Sequence, residues 1–303
     1  MKPKNIRRKL RGIFDEFLES IEDKDVAEDV SRNTIISGGA IVSLLQDTDP
    51  SDYDLYFTNK QTVLKVARYY VNKLNENSNK NRFGYKHKAL LIDGAFNIQQ
   101  QIIDQGEEPW ETAMLKGFTE DRVKIVIRSD GVNIDLNDVD VEEEKEPKDK
   151  KFQIKFVSTN AISLYGKIQL IIRFYGPPEE IHKNFDYVHC LSYWDTKDNL
   201  VLNKDALSSI LTKELIFTGS RYPLCSLFRL RKFIKRGWWI SAGEILKIAM
   251  SLNELDLKDP IILEDQLIGV DTMYFFELIE MLREKEVQIT SSYITTLVDR
   301  IFH

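Results

Sequence analysis

The stretch from Thr34 to Phe57 constrains the fold of this chain more than any other part of the sequence. Two isoleucines precede a Ser-Gly-Gly run, an apolar segment from Ala40 to Leu45 follows it, and Asp-Tyr-Asp comes next. Paired glycines let a backbone turn with positive φ and let another group approach closely. The stretch therefore predicts a strand, a tight turn, a short helix, a loop and a second strand. The helix N-terminus above the turn favours a phosphate group.

The spacing of Asp52 and Asp54 is the second informative feature of this stretch. Residues i and i+2 of a strand point to the same face, so the two carboxylates share one side, while Tyr53 and Leu55 face the core. Two carboxylates at about 4 Å repel by roughly 4 kcal/mol at an effective dielectric near 20. A cation relieves that repulsion, and Mg²⁺ prefers carboxylates together with substrate phosphates. The alternative is that Ser-Gly-Gly forms a plain turn and Asp-Tyr-Asp a solvated strand edge.

In combination, these residues resemble the signature of the polymerase-beta-like nucleotidyltransferase superfamily. Ile36, Ser37, Gly38 and Gly39, then Asp52, Tyr53, Asp54 and Leu55, fit its pattern over about two dozen residues. The glycines and the short helix look most like the poly(A)-polymerase and CCA-adding branch, although Ile41 and Val42 stand where CCA-adding enzymes usually carry an arginine. The resemblance implies a mixed sheet with helices, two metal ions (Mg²⁺ or Mn²⁺) on the paired aspartates, and nucleotidyl transfer from ATP or another NTP. Ser37, Gly38 and Gly39 would then hold the β- and γ-phosphates.

A third carboxylate on a neighbouring strand usually completes such a two-metal site and can take the proton of the attacking hydroxyl. Asp186, between Phe185 and Tyr187, fits the expected apolar context best, and Asp135 is the rival. Gln169 occupies a similar context but cannot act as a base. We therefore expect Asp186, with Asp52 and Asp54, to bind metal and to act in catalysis.

A basic segment from Arg221 to Trp239 is the other candidate for phosphate binding. At 100° per residue, Arg229, Lys232 and Arg236 fall on one side of a helix, and Leu227, Leu230 and Ile234 fall on another, apolar side. The basic side suits the triphosphate of an NTP or a nucleic-acid backbone, or else is a solvated face. Trp238 and Trp239 could stack a base, or belong to the core.

The periodicity of the chain predicts an α+β fold in three parts. These are an N-terminal helical segment (1–32), a nucleotidyltransferase-type catalytic domain with a mixed sheet (33–198) and an all-helical C-terminal domain (199–303). Within the second part, we expect a hairpin over Arg122–Leu136 and strands at Phe152–Val157, Lys167–Phe174 and Phe185–Trp194. Helices are expected at Lys204–Leu211, Ser226–Lys235, Ser241–Leu252, Asp271–Lys285 and Ser291–Phe302.

Composition excludes several other classes of protein. The net charge of −6 argues against a grip on long nucleic acid, and the two cysteines form neither a disulfide framework nor a zinc motif. No apolar run is long enough to span a membrane, so we expect a cytoplasmic protein. The leading hypothesis is transfer of NMP from an NTP to a hydroxyl of RNA, protein or a small molecule. The alternative is a non-catalytic binding or toxin/antitoxin-type module that keeps the fold; the sequence leaves the oligomeric state open.

Overall fold

The computed structural model describes residues 1–78, 88–93, 123–128, 150–157, 160–259, 262, 263 and 266. The chain divides into two compact units. The first contains Met1–Pro178 and Tyr193–Leu200, and the second contains Glu179–Ser192 and Val201–His303. The segment predicted as residues 1–32 is part of the first unit, and residues 179–192 belong to the second unit although they precede the predicted boundary near Asp198.

Four helices lie in the described part of the first unit. They are α1 (Pro3–Glu19), α2 (Lys24–Asn33), α3 (Gly39–Leu45) and α4 (Lys60–Ser78). The apolar positions of α1 recur at helical spacing and are buried, and Phe14 meets Trp194 edge-on with 5.6 Å between ring centroids. The Asp23 carboxylate caps α2 by accepting hydrogen bonds from the N–H groups of Asp25 and Val26.

The main sheet of the chain is mixed and has seven strands in the order β5-β6-β7-β2-β1-β8-β9. These strands are β1 (Thr34–Ser37), β2 (Tyr53–Phe57), β5 (Ile154–Val157), β6 (Ala161–Leu164), β7 (Ile168–Tyr175), β8 (Tyr193–Asp195) and β9 (Leu200–Val201). Strand β2 is antiparallel to β1 and parallel to β7, so the Asp-Tyr-Asp strand is central rather than at an edge. A separate antiparallel pair joins β3 (Lys88–Asp93) to β4 (Val123–Arg128). The second strand of the predicted 122–136 hairpin lies outside the described residues.

The second unit is mainly helical over the residues that the structure describes. Its helices are α5 (Pro178–His182, whose first residue belongs to the first unit), α6 (Lys204–Thr212), α7 (Pro223–Lys235) and α8 (Ala242–Asn253). A two-stranded parallel sheet of β10 (Glu214–Leu215) and β11 (Trp239–Ile240) joins them. The helices predicted at 271–285 and 291–302 lie outside the described residues.

The expected fold class, a mixed sheet with helices, is confirmed, but one of the predicted strands, Phe185–Trp194, is wrong. Residues 185–194 form a bend at Asp186, an isolated bridge at Tyr187, a 3₁₀ helix over Val188–Cys190 and only then β8. Aromatic and β-branched residues favour a strand there, but tertiary packing of Tyr187 and His189 overrides that preference. None of the helices in the described ranges combines the length and the apolar character needed to cross a bilayer.

Candidate functional site

The turn between β1 and α3 is built around a single glycine. Gly38 has φ 88° and ψ −143°, which side chains disfavour, and it immediately precedes the first residue of α3. Gly39 is already helical, and a Cβ placed there would meet no atom within 4 Å. The sequence predicted a turn from paired glycines; in the structure, the positive φ belongs to Gly38.

The two aspartates lie beside this turn because β1 and β2 are paired. Ser37, the last residue of β1, is in register with Asp54. Tyr53, Leu55 and Phe57 are buried and Asp52 and Asp54 are half-buried, as the alternation in the sequence predicts. The Ser51 hydroxyl lies 3.1 Å from Asp52 Oδ1 and donates a hydrogen bond to it. The glycine turn and the aspartate pair therefore share one end of two adjacent strands.

The strand on the other side of β2 carries no carboxylate at the corresponding level. Strand β7 places Gln169 in register with Asp54 and Ile168 in register with Tyr53. Within the described ranges, no cluster of three or more His, Cys, Asp or Glu side chains suits a metal ion. The row across the sheet is thus Ser37, Asp54 and Gln169, with an amide where the resemblance implies an acid.

Lys167 holds the loop that leads to the aspartates. This residue was not identified from the sequence. Its carbonyl accepts a hydrogen bond of 2.7 Å from the Tyr53 N–H, and its ammonium group donates to Asp49 Oδ2 and to the Pro50 carbonyl, both at 3.0 Å. Lys9 of α1 donates to the other Asp49 oxygen at 2.7 Å. These two hydrogen bonds, from Lys9 first and Lys167 second, lower the pKa of Asp49. Only the parallel register of β2 and β7 brings Lys167 there, and no short-range pattern signals it.

The donor set can be tested against the expected metal ion. Mg²⁺ binds through one or two carboxylates and keeps its remaining ligands for water and substrate phosphates. Asp52 and Asp54 meet that requirement, and Gln169 adds a neutral amide at the same level. Two carboxylates and an amide therefore suit one Mg²⁺ or Mn²⁺ that takes its other ligands from elsewhere. A site of three carboxylates is not formed by the residues that the structure describes.

Asp186 lies in different surroundings from Asp52 and Asp54. It belongs to the second unit, and its carboxylate, 12% exposed, forms an ion pair with Arg229 of α7. A guanidinium partner satisfies a half-buried carboxylate without a metal. These surroundings lend no support to the assignment of Asp186 as a metal ligand. Its rival, Asp135, lies outside the described residues.

The basic side of α7 is divided by this ion pair. Arg229 is engaged with Asp186, whereas Lys232 and Arg236 are exposed. The predicted apolar side is also incomplete, because Leu230 is buried but Leu227 and Ile234 are 37% and 50% exposed. The two tryptophans differ too: Trp238 packs on His189 with 4.5 Å between ring centroids, and Trp239 is exposed. The sequence pattern defined the helix but not which of its sides faces the core.

Two solved structures of CCA-adding enzymes are similar to this chain in fold. One is a Thermotoga maritima CCA-adding enzyme complexed with tRNA, with a TM-score of 0.37 and 10% identity, covering 79% of this chain and 45% of that chain. Another is a CCA-adding enzyme with CTP, with a TM-score of 0.38 and 12% identity, covering 92% of this chain and 56% of that chain. At these identities the likeness extends to the fold alone.

A curated relative and a family model match the chain at the level of sequence. The relative is Gabija anti-defense 2 of Bacillus phage SPbetaL7, which is 25% identical over 126 residues, or 41% of this chain. The match spans 32% of that relative's length. The family model, described as Gabija anti-defense 2 family protein, matches residues 8–213 and so includes the turn at Gly38, both aspartates and Lys167. Because that match covers more than half of the sequence, the chain belongs to the Gabija anti-defense 2 family.

Proposed function

We propose that this chain counteracts the Gabija defence and does so as a metal-dependent nucleotidyltransferase. The reaction would join the oxygen of an acceptor hydroxyl to the α-phosphorus of an NTP. The bond between that phosphorus and the bridging oxygen breaks, pyrophosphate leaves, and the hydroxyl proton passes to solvent. The acceptor is a hydroxyl of RNA, protein or a small molecule.

The register of Ser37 with Asp54 carries this proposal, because it puts a glycine turn beside a pair of carboxylates. Asp52 and Asp54 would hold the divalent ion. That ion, when bound, neutralises charge on the triphosphate and polarises its oxygens. Gly38 has no side chain to obstruct a phosphate above the turn, and the N–H groups at the start of α3 would donate to it.

A non-catalytic binding module is the second candidate, and Gln169 favours it. The amide in register with Asp54 cannot take a proton from the acceptor hydroxyl, so this row of the sheet offers, among the described residues, no base of the kind that the resemblance implies. On this reading, the fold would act against the Gabija defence by binding alone. The paired aspartates favour the enzyme, since a binding module gains nothing from two carboxylates that repel each other.

A paired assay separates these two functions. The chain is incubated with each α-labelled NTP, Mg²⁺ or Mn²⁺, and pooled RNA, protein and small-molecule acceptors. In parallel, cells with and without the Gabija defence express it and are challenged with phage. Asp52→Asn and Asp54→Asn should abolish both label transfer and phage rescue. Asp47→Asn is the matched control, since Asp47 is exposed in the same loop and asparagine tolerates its φ of 58°.

Each outcome decides between the two functions. Loss of transfer and of rescue in both aspartate variants, with the control active, supports nucleotidyl transfer. Rescue that persists in Asp52→Asn and Asp54→Asn assigns the anti-defence effect to binding.

A further inference from the structure

Trp239 presents a fixed indole ring on the surface of the second unit. Trp239 lies in β11, which pairs with β10, and it is nevertheless 49% exposed. The indole Nε1–H donates to the Thr212 carbonyl at 3.0 Å, and the backbone N–H donates to the Lys213 carbonyl at 2.9 Å. Because both donors are satisfied by the protein, the ring is held in one orientation while much of its surface remains open to solvent.

Three cationic residues belong to the segments that meet at Trp239. The Lys213 ammonium lies 3.8 Å from the position that a Cβ on Gly237 would take, above the turn that leads from α7 to Trp239. Arg236 caps the C-terminus of α7 one residue before Gly237, and Lys235 precedes it. All three cations are exposed, and none of them makes an ion pair within the described part of the chain. Glu214, the register partner of Trp239, is the acidic residue of this strand pair and is half-buried.

We infer that Trp239, Lys213 and Arg236 form a binding surface for single-stranded nucleic acid. An aromatic face stacks any base, and neighbouring cations neutralise the phosphates on either side of it. An exposed ring in a segment whose cations lack carboxylate partners among the described residues favours a stacked base with its phosphate over an acidic peptide, whose acidic side chains carry no aromatic ring to stack on the indole. Because the chain as a whole carries a net charge of −6, attraction of nucleic acid must be concentrated on such a local surface. This inference does not depend on nucleotidyl transfer.

Fluorescence polarisation of labelled single-stranded oligonucleotides tests the surface with the full chain. Oligo-U and oligo-dT of about 12 nucleotides are long enough to place one base on the ring and phosphates on either side of it. Trp239→Ala should weaken binding by about 5- to 150-fold, the equivalent of losing one stacked base, and Trp239→Phe should weaken it less. Arg236→Gln and Lys213→Asn should each lower the slope of log K against log salt concentration by about 0.7. Asparagine is chosen because Lys213 has a left-handed backbone, with φ 53°.

Lys204→Gln and Leu211→Ala are the matched controls, because both residues are exposed on α6, at its start and one residue before its end. Both variants should bind like the wild type. Absence of oligonucleotide binding at low salt, or equal binding by wild type and Trp239→Phe and Trp239→Ala, overturns the inference. Two results together would also overturn the inference and assign the surface to an acidic protein. Polyglutamate at equal charge concentration would displace the oligonucleotide, and Trp239→Ala would leave oligonucleotide affinity unchanged. Melting curves of each variant establish that the fold is intact.

Discussion

The ammonium group of Lys167 lies 3.0 Å from Asp49 Oδ2, in the loop that leads to Asp52. The backbone carbonyl of Lys167 also accepts a hydrogen bond from the Tyr53 N–H, so this lysine contacts the chain on both sides of Asp52. Lys167 has φ 65°, a left-handed conformation that costs a non-glycine residue roughly 1–2 kcal/mol. Strain of this kind persists where the surrounding contacts enforce it. We interpret Lys167 as a positioning residue for the Asp52 carboxylate.

Lys167→Asn should therefore weaken metal binding more than it changes stability. Asparagine accepts the left-handed backbone, and the lost ion pair is exposed and contributes at most about 1 kcal/mol. We expect a melting temperature within a few degrees of the wild type and a several-fold weaker Mn²⁺ affinity. Lys9→Gln, which removes only the other Asp49 contact, is the control. Unchanged Mn²⁺ affinity in a folded Lys167→Asn variant would limit this lysine to a structural role.

Gly38 and Gly39 should respond differently to the same substitution. Gly38→Ala forces a side chain into a conformation close to glycine-only and should cost about 1–3 kcal/mol of unfolding free energy. Gly39→Ala should be nearly neutral, because the added Cβ meets no atom within 4 Å and the position is helical. Urea denaturation measures both costs, and NTP titration should show weaker binding for Gly38→Ala alone. Equal effects at the two positions would contradict the assignment of the turn to Gly38.

Substitutions of Arg229 and Lys232 distinguish a structural role of α7 from a role in binding. Arg229→Gln leaves the half-buried Asp186 charge without its guanidinium partner and should destabilise the protein by roughly 1.5–3 kcal/mol. Lys232→Gln changes an exposed side chain and should stay within about 0.5 kcal/mol of wild type. Chemical denaturation provides the comparison. A stable Arg229→Gln variant with weakened NTP binding would instead place Arg229 at the triphosphate.

His189 should make stability depend on pH. Its ring is buried between Phe233 and Trp238, and burial lowers its pKa to about 4, with the Asp186 carboxylate opposing that shift. The unfolded chain, in which the pKa of histidine is about 6.5, therefore binds the proton first. Stability should be fully present above pH 6.5 and fall as the pH drops towards 4, by up to about 3 kcal/mol.

His189→Phe isolates this contribution. Both ring nitrogens of His189 lack hydrogen-bond partners among the described residues, so phenylalanine removes two unsatisfied polar atoms from the aromatic cluster. We expect the variant to be at least as stable as wild type at pH 7 and to show a flatter decline from pH 6.5 to 4. Urea denaturation across that pH range is the measurement. An unchanged pH profile would assign the acid sensitivity to other groups, such as Asp49 with its lowered pKa.

The sequence by itself determined the local order of the candidate site. Glycines, a short apolar helix and alternation around Tyr53 act over a few residues, so the succession β1, turn, α3, loop, β2 could be predicted from Thr34–Phe57. The burial of Tyr53, Leu55 and Phe57 and the half-exposure of both aspartates follow from the two-residue period of a strand.

Only the tertiary structure decided which residues stand beside that stretch. Register between β2 and β7 is a long-range choice, and it set Gln169 rather than an acid next to Asp54 and brought Lys167 to the preceding loop. The predicted strand at 185–194 failed because packing of buried rings outweighed local β-preference, and this placed Asp186 against Arg229. Helical periodicity likewise defined α7 but could not say that Leu227 and Ile234 would be exposed, because exposure depends on what packs against each side.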